Sequence, residues 1–415
     1  MKHLPMTLQF SAPAIIAVAL FSLLFLFAPQ AVLAQQPDSV WVRYYGEEGK
    51  SYSRDIEVVT DGFVVVGTKS LMEDNLPYPQ VWLLKFDFDG NVLWTREYGD
   101  DHAQKGYAVA PTSDGGFILC GSYWTEGVPD AYVIKVGARG HLEWERVYPS
   151  EDDTFARDIK QTPDGGYVVT GATQRHAIQN RLQIDAYILK LDADGNQEWA
   201  RSYGGGWEND ETWSIIVEDD GYAIAGRTWS GGAQMRDALI AKIDLDGNPV
   251  WWDIYGGEYK DHIYELQRMP DGSGYVGAGK TESFNNGFLE HGDIWILRYD
   301  ENGNFMWRSV IGHQPTEFGR SIDIFPNGDF VVTGMTVTNQ NQNQIFVGRA
   351  DGTDGDWEWF YDFGSVGMDD AWSVRVLPDG DWVVAGNTQS MGPAEQSIVV
   401  FRMTEVQVGD PVFAR

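Results

Sequence analysis

The sequence is short of cysteine and of positive charge. Cys120 is the only cysteine in 415 residues, and 30 Lys and Arg stand against 61 Asp and Glu. A single thiol makes no intramolecular disulfide, so stability must come from buried area, which a chain of this length can supply. Cys120 lies in the apolar run Phe117-Ile118-Leu119-Cys120-Gly121 and reads as a small core residue rather than a reactive thiol. The excess of acid excludes nucleic acid and anionic membrane surfaces as partners and fits solubility or a cationic partner.

Chemistry-bearing motifs are missing as well. Past residue 34 there are six histidines, at 102, 141, 176, 262, 291 and 313, none in a His-x-His or His-Glu-x-x-His spacing, which leaves zinc hydrolysis unsupported. Neither a Gly-x-Ser-x-Gly elbow nor a phosphate loop occurs. Asp87-Phe88-Asp89-Gly90-Asn91 and its relatives begin like a Ca²⁺ loop but lack the twelfth-position Glu of an EF-hand. An Asx-type hairpin turn explains them better, so Ca²⁺ is a weak expectation and no other cofactor is indicated. No stretch has the period of a useful amphipathic helix.

The first segment stands apart from the rest. Lys2 and His3 precede an apolar run from Ala14 to Phe27, and Ala31-Val32-Leu33-Ala34 offers small residues to a signal peptidase. Residues 1–34 are therefore expected to be a signal peptide, and residues 35–415 a single exported domain, periplasmic or extracellular, with no stable membrane insertion after cleavage. Cleavage removes Lys2 and no acid, taking the formal charge from −31 to −32.

What the sequence has in abundance is one repeating unit. A tryptophan recurs at 41, 94, 144, 199, 251, 307 and 359, and four residues after each stands Tyr45, Tyr98, Tyr148, Tyr203, Tyr255, Ile311 or Phe363. Each period holds four runs rich in Val, Ile, Tyr and Trp. In the third unit they are 156–162, 167–170, 186–191 and 197–203, separated by turns such as Pro163-Asp164-Gly165-Gly166 and Asp192-Ala193-Asp194-Gly195-Asn196. This predicts an all-β fold, a seven-bladed β-propeller of four-stranded antiparallel blades. The chain opens with a lone fourth strand at 40–45 and its last unit has no closing tryptophan, so the N-terminal strand should complete the last blade and remove an exposed edge.

The units, reading YGG, then Asp-Gly-Gly-Tyr, then Asp-x-x-Gly-Asn-x-x-Trp, resemble a family of secreted bacterial and archaeal propeller repeats. The resemblance covers nearly the whole mature chain. Its motifs are all structural, so it implies a fold and no active site. Residues 137–141 and 351–356 depart from the turn pattern and are expected to be irregular.

Loop lengths separate two ends of the ring. The turns joining the first to the second run and the third to the fourth are short and uniform. Loops between the second and third runs vary (69–80, 174–184, 230–236, 282–292, 338–344) and share the opposite end with the acidic inter-blade loops. Binding is expected at that variable face. Candidate binding residues are Trp124, Trp207 and Trp229 in its loops, and an innermost-strand series that is Arg or aromatic in every unit: Arg54, Tyr107, Arg157, Trp213, Tyr264, Arg320 and Trp372. Such a ring could take an anionic or sugar-like ligand, or its Arg could pair with neighbouring acids and pack between blades. The expected function is a non-enzymatic binding propeller for a glycan, a peptide or a cell-surface protein. The alternative is a carbohydrate-active hydrolase or lyase using funnel carboxylates such as Asp55, Asp158 or Glu265.

Overall fold

A computed structural model describes residues 38–46, 49–70, 78–150, 152–175, 183–204, 209–230, 235–284, 291–313, 315–338, 342–364 and 366–404. All belong to the body Gln35–Arg415. The expected signal peptide, Trp207 and the middle of most variable loops lie outside them.

The strands form seven four-stranded antiparallel sheets. Six are consecutive in sequence: blade 1 spans Lys50–Tyr98, blade 2 Ala103–Tyr148, blade 3 Asp153–Tyr203, blade 4 Glu211–Tyr255, blade 5 Asp261–Ile311 and blade 6 Thr316–Phe363. Blade 7 takes Asp370–Val376, Trp382–Thr388 and Ser397–Thr404 from the C-terminal side and Asp38–Tyr45 from the N-terminal side. The expected closure is thus present: Trp41 pairs with Arg402 and Tyr45 with Ile398. In blade 3 the first three strands, Asp153–Gln161, Tyr167–Arg175 and Gln183–Leu191, extend three to five residues beyond the expected runs at the variable-loop end, because backbone pairing continues past the apolar side chains.

The repeat motif is a lock between blades. Trp144 of blade 3's predecessor lies against Gly195 in the turn before the fourth strand of blade 3, and Tyr148 donates its hydroxyl to the Gly195 carbonyl at 2.7 Å. Trp41 and Tyr45 do the same to Gly90, the tyrosine at 2.8 Å, and Tyr98 reaches Gly140 at 2.8 Å. Gly195 has φ +79° and a Cβ there would stand 2.8 Å from the Trp144 ring, so both backbone and packing demand glycine. The hydrophobic core accordingly sits between successive sheets: Phe63, Leu84 and Phe86 of blade 1 pack with Trp41, Val383 and Val400 of blade 7.

The Asp of the same turn makes the Asx turn expected of it. Asp192 accepts from the Asp194 and Asn196 amides at 3.0 and 2.8 Å and from Asn196 Nδ2 at 2.9 Å. N–H donors occupy both oxygens, leaving little for a cation. Two expected irregularities resolve differently. Residues 137–141 form the ordinary turn, closed by Gly137 N to His141 O at 2.9 Å, because backbone bonds suffice without the Asp. Residues 351–356 hold one extra residue, the closing bond running from Asp351 N to Asp356 O at 2.9 Å.

Candidate functional site

The inner strands enter from the inter-blade loops and end at the short turns. In all seven, the ladder to the second strand slips by one residue, at the Arg or aromatic position: between Ser53 and Asp55, Gly106 and Ala108, Ala156 and Asp158, Thr212 and Ser214, Ile263 and Glu265, Gly319 and Ser321, and Ala371 and Ser373. Each candidate is therefore the extra residue of a β-bulge, a device that re-aims a side chain. The partner before each slip is a glycine: Gly67, Gly121, Gly171, Gly226, Gly279, Gly334 or Gly386. A Cβ at Gly67 would run into the Tyr52 carbonyl, so the absent side chain lets the inner strand bow inward.

The bulges bring the seven side chains together. Arg54, Tyr107, Arg157, Trp213, Tyr264, Arg320 and Trp372, all half-buried, line one cavity of about 440 Å³. Glu211, at the start of its strand, also lines it, which places the opening on the variable-loop face. A second cavity of about 600 Å³ reaches Pro111, Gln161 and Arg268 near the strand ends and opens at the uniform turns. Asp158, Lys160, Ser214, Glu265 and Arg375 line both.

Guanidinium groups cover the aromatic faces of the mouth. Arg54 and Arg320 sandwich Trp372, at 3.7 and 3.6 Å from the ring centroid. Arg157 lies over Tyr107 at 5.1 Å and Arg227 over Trp213 at 5.0 Å. Trp213 also packs on Tyr264, centroids 5.0 Å apart, and the Tyr264 hydroxyl meets His262 Nδ1 at 3.1 Å. Burial pushes His262 down to about 2, with Arg227 and Lys280 adding to the effect, so the imidazole is neutral. Trp372 Nε1 donates to Asp370 at 2.8 Å. Guanidinium groups thus lie over three of the four rings, and Trp372 carries two of them.

Below the mouth lies a belt of ions and hydroxyls that stitches the blades. Asp55 accepts from Ser373 Oγ at 2.9 Å and from the Val109 amide at 3.1 Å. Asp158 accepts from the Ile215 amide at 3.0 Å and Lys160 Nζ at 3.0 Å. Glu265 accepts from the Ile322 amide at 3.1 Å and the Ser321 hydroxyl, and Asp323 from the Val376 amide at 2.7 Å. Arg375 Nη2 lies 3.0 Å from both Glu57 and Glu265 and 3.6 Å from Asp55. Burial pushes Asp55 up to about 7 and Asp323 up to about 6, against the pull of Arg375. Burial also works to raise Glu57, but Arg375 and Lys160 prevail and hold it below the usual range. Asp55, Asp158 and Glu265, the carboxylates of the hydrolase alternative, thus have both oxygens engaged, with at least one oxygen of each joining its inner strand to another blade's and further bonds made within its own strand.

The outer candidates sit elsewhere. Trp124, expected in a loop, lies on the strand Phe117–Thr125 because pairing with Ala103 and Pro129 extends past the apolar run, while Trp229 follows a strand end; both are half-buried and neither lines the cavity. Trp124 Nε1 donates to Ser122 Oγ at 2.9 Å with Lys105 over its ring, and Arg236 lies 5.1 Å over Trp229. Trp207 falls outside the described residues. Several inter-blade acids are buried and consumed locally: Asp210 takes the Thr228 and Ser230 hydroxyls, Asp261 those of Thr281 and Ser283, and Asp369 that of Ser390. Among the described residues no group of three or more His, Cys, Asp or Glu is placed to hold a metal.

Comparison with protein-family models and with curated proteins finds no match. Solved structures match in architecture. The WD40 domain of Neurospora crassa Pan2 superposes with a TM-score of 0.53 at 11% identity, over 91% of this chain and 98% of that one. A puromycin hydrolase mutant gives 0.53 at 14% identity, over 88% of this chain and 55% of that one. Sqt1 from Chaetomium thermophilum gives 0.49 at 11% identity, over 90% of this chain and all of that one. The shared property is the propeller. At these identities the likeness shows the fold alone.

Inspection of the sequence missed the belt. Three residues after each bulge stand Glu57, Lys160, Gln267, Asp323 and Arg375 in five of seven blades, where an inner strand would otherwise be apolar. The third-strand residue facing each repeat tryptophan was missed too: it is Lys85, Lys135, Lys190, Lys242, Arg298, Arg349 or Arg402. Lys190, for example, is buried and ties Asp164 and Glu198, each at 2.9 Å. The second signal is Lys or Arg in all seven repeats, whereas the first is polar or charged in five and apolar at Ala110 and Ile216.

Proposed function

We propose that this chain is an exported binding propeller, of the secreted repeat kind it resembles, that takes its partner at the funnel mouth on the variable-loop face. The observation that carries the reading is the convergence of all seven bulge residues on one cavity. Seven bulges at one level, each facing a glycine, spend regular pairing on aiming side chains inward, which packing alone does not require. The partner is a glycan, a peptide or a cell-surface protein presenting a small group to the cavity. The hydrolase alternative loses support because its three carboxylates are committed to inter-blade bonds.

A glycan array and a peptide library, each probed with wild type, with Arg54→Gln plus Trp213→Ala, and with Trp124→Ala plus Trp229→Ala, test this. Ligands should be lost with the first pair and kept with the second. Capture of every ligand unchanged by the first pair would remove the mouth as the site.

A further inference from the structure

The mouth holds more positive charge than its surroundings neutralise. Arg54 and Arg157 have no hydrogen bond or ion pair among the described residues; their contacts are with aromatic rings. Arg157 Nε is inaccessible to solvent and lacks a hydrogen-bond partner. Arg320 has only a 3.6 Å approach to Asp370 and a contact with Met335 Sδ. The nearby acids are engaged elsewhere: Glu211 pairs with Arg227 at 2.8 Å, and Asp370 also holds Trp372 Nε1 and Asn387 Nδ2. Burial and the neighbouring Arg320 push Arg54 down to about 10, with Asp370 working against them. Buried guanidinium groups are ordinarily paired, because an unpaired buried charge is costly.

Two further facts limit what would supply the missing charge. The chain carries −31 overall, so a long polyanion is repelled by everything outside the mouth. The cavity, at about 440 Å³, has room for one or two residues of a ligand. With guanidinium groups over Trp372, Tyr107 and Trp213, charge is what the mouth chiefly offers.

We propose that the funnel mouth is a receptor for a single carboxylate on an otherwise uncharged ligand, held by the forked donors of Arg54, Arg157 and Arg320. The planar guanidinium matches a carboxylate in bidentate fashion, and the aromatic rings fix its plane. The same carboxylate can come from a peptide C-terminus or from an acidic monosaccharide. This rests on the mouth being the binding site and names the chemistry of its ligand.

Calorimetric titration of the mature chain decides it, with two probe pairs: an N-acetylated dipeptide against its C-terminal amide, and glucuronic acid against glucose. Measurements run at low ionic strength and again at roughly 1 M salt, where screening acts within about 3 Å. At least one free acid should bind, its neutral counterpart should not, and salt should weaken the binding. Which acid binds identifies the source. Arg54→Gln plus Arg157→Gln should weaken binding at least about tenfold with the melting temperature unchanged, and Arg157→Lys, which keeps charge without the fork, should fall between. The proposal is overturned if neither acid binds, if the neutral counterparts bind equally, or if the well-folded double variant binds like wild type. Should that variant fail to fold, the acid-against-neutral comparison on wild type still decides. If array ligands depend on the mouth while both acids fail, the carboxylate is wrong and the mouth stands.

Discussion

Trp41 stands where the two ends of the chain are joined, so Trp41→Ala tests the closure of the ring. The side chain is 9% exposed, stacks on Phe63 with centroids 6.0 Å apart and donates from Nε1 to Phe88 O at 3.2 Å. Removing a buried tryptophan costs about 3–5 kcal/mol, and the near-complete burial here argues for about 4 kcal/mol. Unfolding entropy of about 2.1 cal/mol/K per residue gives roughly 0.8 kcal/mol/K for a body the size of Gln35–Arg415. The expected loss is therefore about 5 °C in melting temperature if the ring melts as one unit. The damage should also be local. Asp38–Tyr45 joins blade 7 without a covalent turn, through its pairing with Ser397–Thr404 and the packing of Trp41, so amide exchange in Ser397–Thr404 should quicken while Gln183–Leu191 in blade 3 keeps its protection. Scanning calorimetry and hydrogen exchange read both. A shift below about 1 °C, or exchange rising equally in every blade, would refute the clasp.

Gly195→Ala should destabilise more than Gly115→Ala: both have positive φ, +79° and +81°, but only the former meets a tryptophan ring, and the backbone term alone is about 1–2 kcal/mol. Equal denaturation midpoints would deny the stacking lock. Lys190→Met should cost about 1–2 kcal/mol in urea unfolding, at the low end because Asp164 and Glu198 are exposed and regain water; a stabilised variant would show that the pairs contribute nothing. For Asp55 the folded value of about 7 exceeds the ordinary carboxylate value of 3.8, so protonation favours the fold and its contribution weakens as pH rises from about 4 to 7. Asp55→Asn should therefore gain on wild type across that window, and a difference in melting temperature that stays flat with pH would contradict the assignment. His313 runs the same way: its hydrogen bond to Asp362 at 2.7 Å raises it, so this pair's support, present below pH 6.5, is lost as pH climbs through the raised value. Asp362→Asn should remove that loss from the melting profile.

The two halves of the candidate site were unequally legible. The seven Arg and aromatic positions could be aligned because the repeat sets them two residues before an apolar anchor. Whether they faced the funnel or the neighbouring blade depended on strand alternation, which one extra residue reverses. The seven glycines opposite were the available sign of that extra residue. The roles of the inter-blade acids were hidden for a different reason. Asp210, Asp261 and Asp369 look solvated in an acidic loop, but the hydroxyls that satisfy them lie 18 to 22 residues away, at the end of the second strand of the same blade and in the loop after it.

By itself the sequence determined the fold, the number of blades and the closure. Each is written in short-range terms: strand runs, Asp-Gly turns and a tryptophan with an aromatic or large apolar residue four places on, repeated so often that one irregular copy changes nothing. Only the tertiary structure decided the direction of the seven side chains, the covering of their rings by guanidinium groups and the commitment of the funnel carboxylates. Those depend on contacts across blades, such as Asp158 to Ile215 or Arg54 to Trp372, between residues that no local pattern relates. A β-bulge settles the first and the packing of neighbouring strands and blades the rest, with ring closure needed for Trp372 to reach Arg54.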